Sequence, residues 1–346
     1  MRAALYRQFR GPITIEELQD PAPHPDGVVV RVEATGLCRS DWHGWMGHDP
    51  DITLPHVPGH ELAGSIAAVG REVTRWSVGD RVTVPFVAGC GECEPCLDGD
   101  EQVCERQFQP GFTAWGSFAD LVALRYADGN LVAIPDEMDA VTASTLGCRF
   151  ATAFRAVVDQ GRVAPDEWVA VHGCGGAGLA AIMIARAYGA RVIAIDPDER
   201  ARELARSFGA TTLGDDLTPG ALLPAIADVT GGGPHLSLDA IGNKAVVAAS
   251  IESLRRRGRH VQVGLLPENQ TMIPMGTVIA RELEILGSHG MQARRYPEMM
   301  KMILDGRLDP GRLVTRTISL SEVTTALPEM GTIPIAGVTV IDRLDA

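Results

Sequence analysis

Short apolar runs broken by Gly, Pro and Asp dominate the first 150 residues of this 346-residue chain. Val28-Val-Val-Arg-Val32 and Arg81-Val-Thr-Val84 are rich in β-branched side chains, and turns such as Gly79-Asp80 separate the runs. This pattern predicts strands, and hence a mainly β domain over residues 1–150. The rhythm then changes. Trp168-Val-Ala-Val-His172 predicts a strand, and Gly178 to Tyr188, rich in Ala, Leu, Ile and Met, a helix closed by Gly189. Arg191-Val-Ile-Ala-Ile195 is the next predicted strand, and Leu236-Ser-Leu238 and His260-Val-Gln-Val263 continue the alternation. Such a segment buries a parallel sheet between helices. Residues 290–346 carry one predicted helix, Pro297 to Leu304, followed by short strands. The expected fold class is α/β: a mainly β domain at 1–150, completed by 290–346, and a doubly wound parallel-sheet domain at 151–289.

Composition narrows the function classes. Hydrophobic residues make up 45% of the chain, but Gly or charge breaks every apolar stretch well before the eighteen residues a membrane-spanning helix needs. The start, Met1-Arg-Ala-Ala-Leu-Tyr-Arg7, has no apolar core of a secretion signal, so a cytoplasmic protein with reduced cysteines is expected. A net charge of −13 argues against nucleic-acid and anionic-membrane partners.

The predicted strand at 168–172 runs into Gly173-Cys-Gly-Gly-Ala-Gly178, a G-x-G-x-x-G loop opening a helix. Gly173 permits the tight turn. Gly175 and Gly176 let the backbone approach a pyrophosphate, and Gly178 lets helix and strand pack closely. Asp196 ends the next strand, where an acid accepts hydrogen bonds from an adenosine ribose and repels a 2′-phosphate. This favours NAD. Arg200 is the nearby cation that could instead hold a 2′-phosphate. Cys174, inside the loop, reads as a structural residue.

Four of the seven cysteines, Cys90, Cys93, Cys96 and Cys104, are spaced C-x2-C-x2-C-x7-C. Thiolates this dense point to one tetrahedral zinc, whereas disulfide frameworks belong to short secreted chains. The same stretch holds Glu92, Glu94, Asp98, Asp100 and Glu101 and no Lys or Arg. That composition repels phosphate and makes a nucleic-acid-binding zinc module a poor reading. Elsewhere stand Cys38-Arg-Ser-Asp-Trp-His43, Gly59-His60-Glu61, and Cys148 within Leu146-Gly-Cys-Arg-Phe150. Two thiolates and an imidazole would leave one position open on a tetrahedral zinc. Spacing does not join residues so far apart, and a lone buried Cys is ordinarily a small apolar residue.

At these residues the chain resembles the zinc-containing medium-chain alcohol dehydrogenases of the bacterial NAD-dependent type. Gly59-His-Glu-x2-Gly64-x5-Gly70 matches that family's zinc signature. The Cys38 motif, the four-cysteine lobe, Cys148 and the glycine loop follow in family order. The resemblance implies a GroES-like catalytic domain built from both chain ends around a Rossmann domain. It implies two zinc ions per chain, one catalytic on Cys38, His60 and Cys148 and one structural on the four-cysteine lobe. Asp41 becomes the carboxylate holding His60, and Glu61 one that can approach the metal. Ser40 and His43 match the proton-relay positions, and Arg39 a position near the cofactor pyrophosphate. Phe86 matches a substrate-pocket aromatic, which Ser40 adjoins. The implied reaction moves a hydride between an alcohol and NAD, with the alcohol's proton leaving through Ser40 toward His43. Alternatives are a quinone or enoyl reductase, whose relatives lack the lobe and the ligands, and a polyol dehydrogenase. A homo-oligomer, by the same resemblance a tetramer, would pair sheet edges near Ile285 and Leu286.

Other residues are read more plainly. Trp42, Trp45 and Trp115 lie near the motifs in expected loops, where Trp115 is a further candidate for the pocket wall. His48 and His56 flank a Pro/Asp-rich loop and take no zinc role.

Overall fold

The computed structural model describes residues 1–214, 220–266, 272–333 and 335–344. Strands β1 (Arg2–Tyr6) and β2 (Ile13–Glu17) form an antiparallel pair. They precede β3 (Val28–Leu37), β4 (Glu61–Val69), β5 (Arg81–Thr83), β6 (Leu121–Leu124) and β7 (Val132–Ala133). The parallel-sheet segment supplies β8 (Trp168–His172), β9 (Arg191–Ile195), β10 (Thr211–Leu213), β11 (Leu236–Asp239), β12 (Arg259–Gln262) and β13 (Glu284–Gly287). The chain returns with β14 (Val314–Ser319) and β15 (Val338–Arg343).

Two larger sheets result. In the first, β14, β15, β3, β4, β5 and β7 lie in that order, with β6 also pairing β3. Here β15, from the end of the chain, lies antiparallel to β3, Val340 opposite Gly36. Strand β3 extends five residues past the apolar run Val28–Val32 because β4 and β15 take up its backbone groups on either side. The second sheet is parallel throughout, in the order β10-β9-β8-β11-β12-β13. This is the doubly wound order whose strand direction of growth reverses between β8 and β11. The carboxyl ends of those two strands open the crevice where such sheets bind ligands.

Local sequence explains the centre of this sheet. Val169, Ala170 and Val171 of β8 are fully buried, as a strand covered on both faces requires. The following helix, Gly176–Ala187, is buried from Gly178 to Ala185. A Cβ on Gly178 would stand 1.8 Å from the Gly173 carbonyl oxygen, so only glycine lets helix and strand meet there.

Residues 39–45, expected as loop, form helix α1 (Arg39–Trp45), and both Trp42 and Trp45 lie on it. Its start is a capping box: the Asp41 carboxylate accepts from the Cys38 backbone N–H at 2.9 Å.

Two buried histidines mark the parallel sheet. His260 is wedged between Ser237 and Ser250, 3.1 and 3.2 Å from its Nδ1. His172, at the carboxyl end of β8, buries Nε2 without a hydrogen-bond partner. Burial, then the neighbouring His260, pushes His172 down to about 3, and burial also lowers His260. Both folded-state values lie below the ordinary value of about 6.5, so below that pH the unfolded chain binds more protons. Stability is fully present above about pH 6.5 and is lost as pH falls, by up to about 1.4 kcal/mol per pH unit for His172, with His260 acting in the same direction. Urea unfolding at several pH values should show this slope, and His172→Gln should make it shallower; an unchanged slope would remove His172 from the account.

Candidate active site and metal centres

The lobe at 90–104 is short and irregular, one helical turn at Glu94–Asp98 and another at Glu101–Val103. It brings the four cysteine sulfurs within 4.8 Å of one another. Cys90 and Cys96 Sγ are 4.0 Å apart and Cys93 and Cys104 Sγ 3.6 Å. A tetrahedral ion with Zn–S bonds of about 2.3 Å requires sulfurs about 3.8 Å apart, while a disulfide requires about 2.05 Å. The separations fit zinc and exclude disulfides; all seven cysteines are unbridged. Backbone N–H groups of Cys90 and Arg106 donate to Cys104 Sγ, each at 3.2 Å, and that of Glu92 to Cys90 Sγ at 3.4 Å. Burial raises the Cys90 thiol, but the Glu92 and Cys93 backbone N–H groups, then the Cys104 and Cys93 thiols, outweigh it and hold it down to about 6. Four thiolate ligands close this site, as in structural zinc.

The second group unites residues 110 positions apart. Ligand atoms of Cys38, His60 and Cys148 lie within 4.8 Å of one another. Cys38 sits at the end of β3 where α1 starts, His60 just before β4, and Cys148 in the helical connection between the sheets. Asp41 organises the set. Its buried carboxylate accepts from His60 Nδ1 at 2.8 Å, from Gly59 N–H at 3.0 Å and from Cys38 N–H. With its proton held at Nδ1, His60 aims a lone pair from Nε2, which is buried and lacks any hydrogen-bond partner. An orphaned imidazole nitrogen beside two sulfurs fits zinc, and three protein ligands leave the fourth position open.

Around this centre stand several of the residues singled out in the sequence. The Ser40 hydroxyl lies 3.9 Å from Cys38 Sγ. Phe86 packs edge-on to His60, ring centroids 6.1 Å apart. Trp115 turns outward, 39% exposed, with its indole N–H on the Pro55 carbonyl. Phe112 packs against His60, ring centroids 5.0 Å apart. His289 lies against Phe86 at 5.1 Å. No local motif marks Phe112 or His289. Arg39 stacks on Trp42 at 4.4 Å and donates to the Met330 carbonyl.

Glu61 does not point freely at the metal position. Its carboxylate takes the Arg149 backbone N–H at 2.9 Å and Nε at 3.0 Å, with Nη2 closing a bidentate pair. Burial pushes the Glu61 carboxyl up, and Arg149 opposes it. Arg149 also donates to the Leu37 carbonyl at 3.1 Å. Leu37, Glu61 and Arg149 each adjoin one of the three metal ligands, so one guanidinium ties all three segments together.

At the glycine loop, Asp196 accepts from Cys174 N–H at 2.7 Å and Asp198 N–H at 2.8 Å. Arg200 bonds Asp198, its Nη2 at 3.2 Å. A Cβ on Gly175 would meet nothing within 4 Å, so the backbone at this position is open on that side.

Comparison with known proteins settles the family. Residues 24–136 match the alcohol dehydrogenase GroES-like domain and residues 176–305 the zinc-binding dehydrogenase domain. An alcohol dehydrogenase of Geobacillus stearothermophilus is 34% identical over 310 residues, 89% of this chain and 90% of its own length. The chain belongs to the zinc-containing medium-chain alcohol dehydrogenases. Among solved structures, the Thermus sp. ATN1 alcohol dehydrogenase superposes with a TM-score of 0.90 at 27% identity, covering 99% of both chains. An Escherichia coli CFT073 alcohol dehydrogenase complexed with NADH does so at 0.88 and 26%, covering 99% of this chain and 98% of its own. The protein is thus a zinc-dependent oxidoreductase acting between alcohols and carbonyl compounds, with a GroES-like and a Rossmann domain.

Two zinc sites make a separable prediction. Cys93→Ser should remove one of two zinc ions per chain and lower the melting temperature, while the Cys38–His60–Cys148 ion stays bound. Metal analysis and a thermal melt of the purified wild type and variant check these statements; a single zinc in the wild type would refute the two-site assignment.

Proposed function

We propose that this dehydrogenase oxidises alcohols with NAD, or reduces the corresponding aldehyde or ketone, and that its catalytic zinc is held by Cys38, His60 and Cys148. The observation that carries this reading is the meeting of those three ligands with the Ser40 hydroxyl beside them. Bound zinc would supply a Lewis acid that makes an alcohol proton labile, and the nicotinamide would accept the hydride. Ser40 takes the alcohol's proton and passes it toward His43, three residues on along the same face of α1. Asp41 keeps His60 in its ligand tautomer, and Arg149 holds Glu61. The loop Gly173–Gly178 and the helix after it cradle the pyrophosphate, and Asp196 meets the adenosine ribose. Arg39 and Arg200 remain candidates for cofactor contact once the cofactor is in place.

Phe86 and Phe112 beside His60 give the pocket an aromatic wall. That lining favours apolar alcohols over polyols, whose several hydroxyl groups need polar partners. Quinone and enoyl reductases use neither metal site, so both rank lower. Unbridged cysteines fit a reducing cytoplasm. The domain division follows the sheets: residues 151–289 form the nucleotide-binding unit, and both flanking segments form the catalytic one.

The cofactor reading is tested by kinetics across an alcohol and ketone panel. Wild-type kcat/KM should be higher with NAD than with NADP. Asp196→Gly should shrink that preference about ten- to hundred-fold, as losing a like-charge repulsion of a few kcal/mol requires. A wild-type preference for NADP would overturn the role given to Asp196.

The same reading extends to a tetramer built from paired dimers. Support comes from β13, which among the described residues lies at the edge of the parallel sheet and pairs on one side alone, with β12. The helix leading into it, Met275–Arg281, exposes Met275 and Ile279, the latter 72% accessible. A second copy meeting β13 would continue the sheet and cover these side chains. Light scattering should report about four times 36.9 kDa. A monomer would refute edge pairing, and a dimer only the tetramer.

A further inference from the structure

Helix α1 ends in a tight, fully bonded turn that the proton-relay reading leaves unused. Gly47 takes a left-handed conformation, φ +79°. Its N–H bonds the Gly44 carbonyl at 3.0 Å, and the His48 N–H bonds the His43 carbonyl at 3.0 Å. These two bonds define a Schellman motif, in which the residue after the glycine folds back over the residue five positions earlier. An apolar pair ordinarily fills those two places. Here they hold two imidazoles: His43 Nδ1 and His48 Nδ1 are 2.9 Å apart. Trp42 lies edge-on to both rings, at 5.0 and 5.8 Å, while Arg39 covers it at 4.4 Å. His43 is half-buried and His48 is exposed, so the pair spans from interior to solvent.

We propose that His48 is the outer carrier of the proton exit, receiving the proton from His43 Nδ1 and releasing it to water. The proposal rests on the reading that Ser40 and His43 carry the proton outward from the alcohol. One proton arrives at His43 Nε2, the Nδ1 proton crosses to His48 Nδ1, and His48 gives one proton to buffer. No electron moves; the transfer leaves His43 protonated on Nε2 and His48 on Nδ1, and each ring, His43 being only half-buried, regains its starting tautomer by exchanging its own ring protons with water before the next turnover. Burial, then the neighbouring His48 and Arg39, holds His43 down to about 4, against the opposite pull of Cys38. A proton therefore does not rest on His43. A ring that cannot keep the proton, yet among the described residues has one exposed imidazole within hydrogen-bond reach, needs that neighbour to move it on. Sequence spacing concealed this, because His48 reads as a loop residue until Gly47 reverses the chain.

The test uses zinc-loaded enzyme and the variants His48→Gln, His43→Gln and the double substitution. Glutamine keeps a hydrogen-bonding group but cannot carry a proton. In dilute buffer His48→Gln should lower kcat for alcohol oxidation about ten-fold at acid pH, below the usual worth of a positioned proton carrier because water partly replaces it. KM should be unchanged, and added imidazole should restore the rate. The double variant should be no slower than His43→Gln alone, since both act on one path. Independently of activity, ring-nitrogen NMR should show His43 titrating at higher pH in His48→Gln, because a positive neighbour has gone. Wild-type rates for His48→Gln at every buffer concentration, additive losses in the double variant, or an unmoved His43 titration would each overturn the proposal. If His43→Gln is slow while His48→Gln is not, only the role of His48 falls. If His43→Gln also keeps full kcat, the relay reading falls with it.

Discussion

The Arg149 guanidinium, 11% exposed, faces the wholly buried Glu61 carboxylate at the junction of the two large sheets. Around it converge the end of β3 through the Leu37 carbonyl, the start of β4 through Glu61, and the connection carrying Cys148. A Cβ on Gly176 would lie 2.7 Å from Arg149 Cδ, so the same side chain also packs on the first turn of the nucleotide-loop helix. Two buried charges are tolerable because they are bidentate and hydrogen-bonded. Removing one partner of such a pair leaves a buried charge alone, at a cost of about 3–5 kcal/mol. Metal ligands, sheet junction and cofactor loop therefore depend on one ion pair.

The catalytic centre adds a second constraint of the same kind. Asp41 spends its carboxylate on Cys38, Gly59 and His60 together. It caps a helix, anchors a glycine turn and selects a histidine tautomer with one group. Preorganisation is thus built from protein hydrogen bonds, and three ligands remain to hold a metal with a position open for substrate. The cysteine lobe contrasts with this. Its four sulfurs are all committed, and they accept from backbone N–H groups and the Arg106 guanidinium, so it can brace structure but offers no open position.

Division of labour between the sheets follows from their topology. The parallel sheet reverses its growth between β8 and β11, and the crevice there faces the glycine loop. The catalytic sheet borrows β14 and β15 from the far end of the chain, and Gly337 bridges to Gly175. The returning segment thus touches the cofactor loop directly.

What the sequence determined by itself was local. Cysteine spacing within 90–104, the strand–G-x-G-x-x-G–helix run ending at Asp196, and the alternation of strands and helices are all written in neighbouring residues. Hydrogen-bonding patterns and ligand spacings of that range survive whatever the rest of the chain does. The catalytic ligand set became readable only through family order, because no spacing rule joins Cys38 to Cys148. Tertiary structure alone decided the rest. The pairing of β15 with β3, the clasp of Arg149 on Glu61, the packing of Phe112 on His60, and the meeting of His43 with His48 each depend on how distant or reversed backbone segments pack. A side chain's partner across a fold is chosen by shape, burial and charge in three dimensions, and a linear pattern does not encode those until the chain has closed on itself.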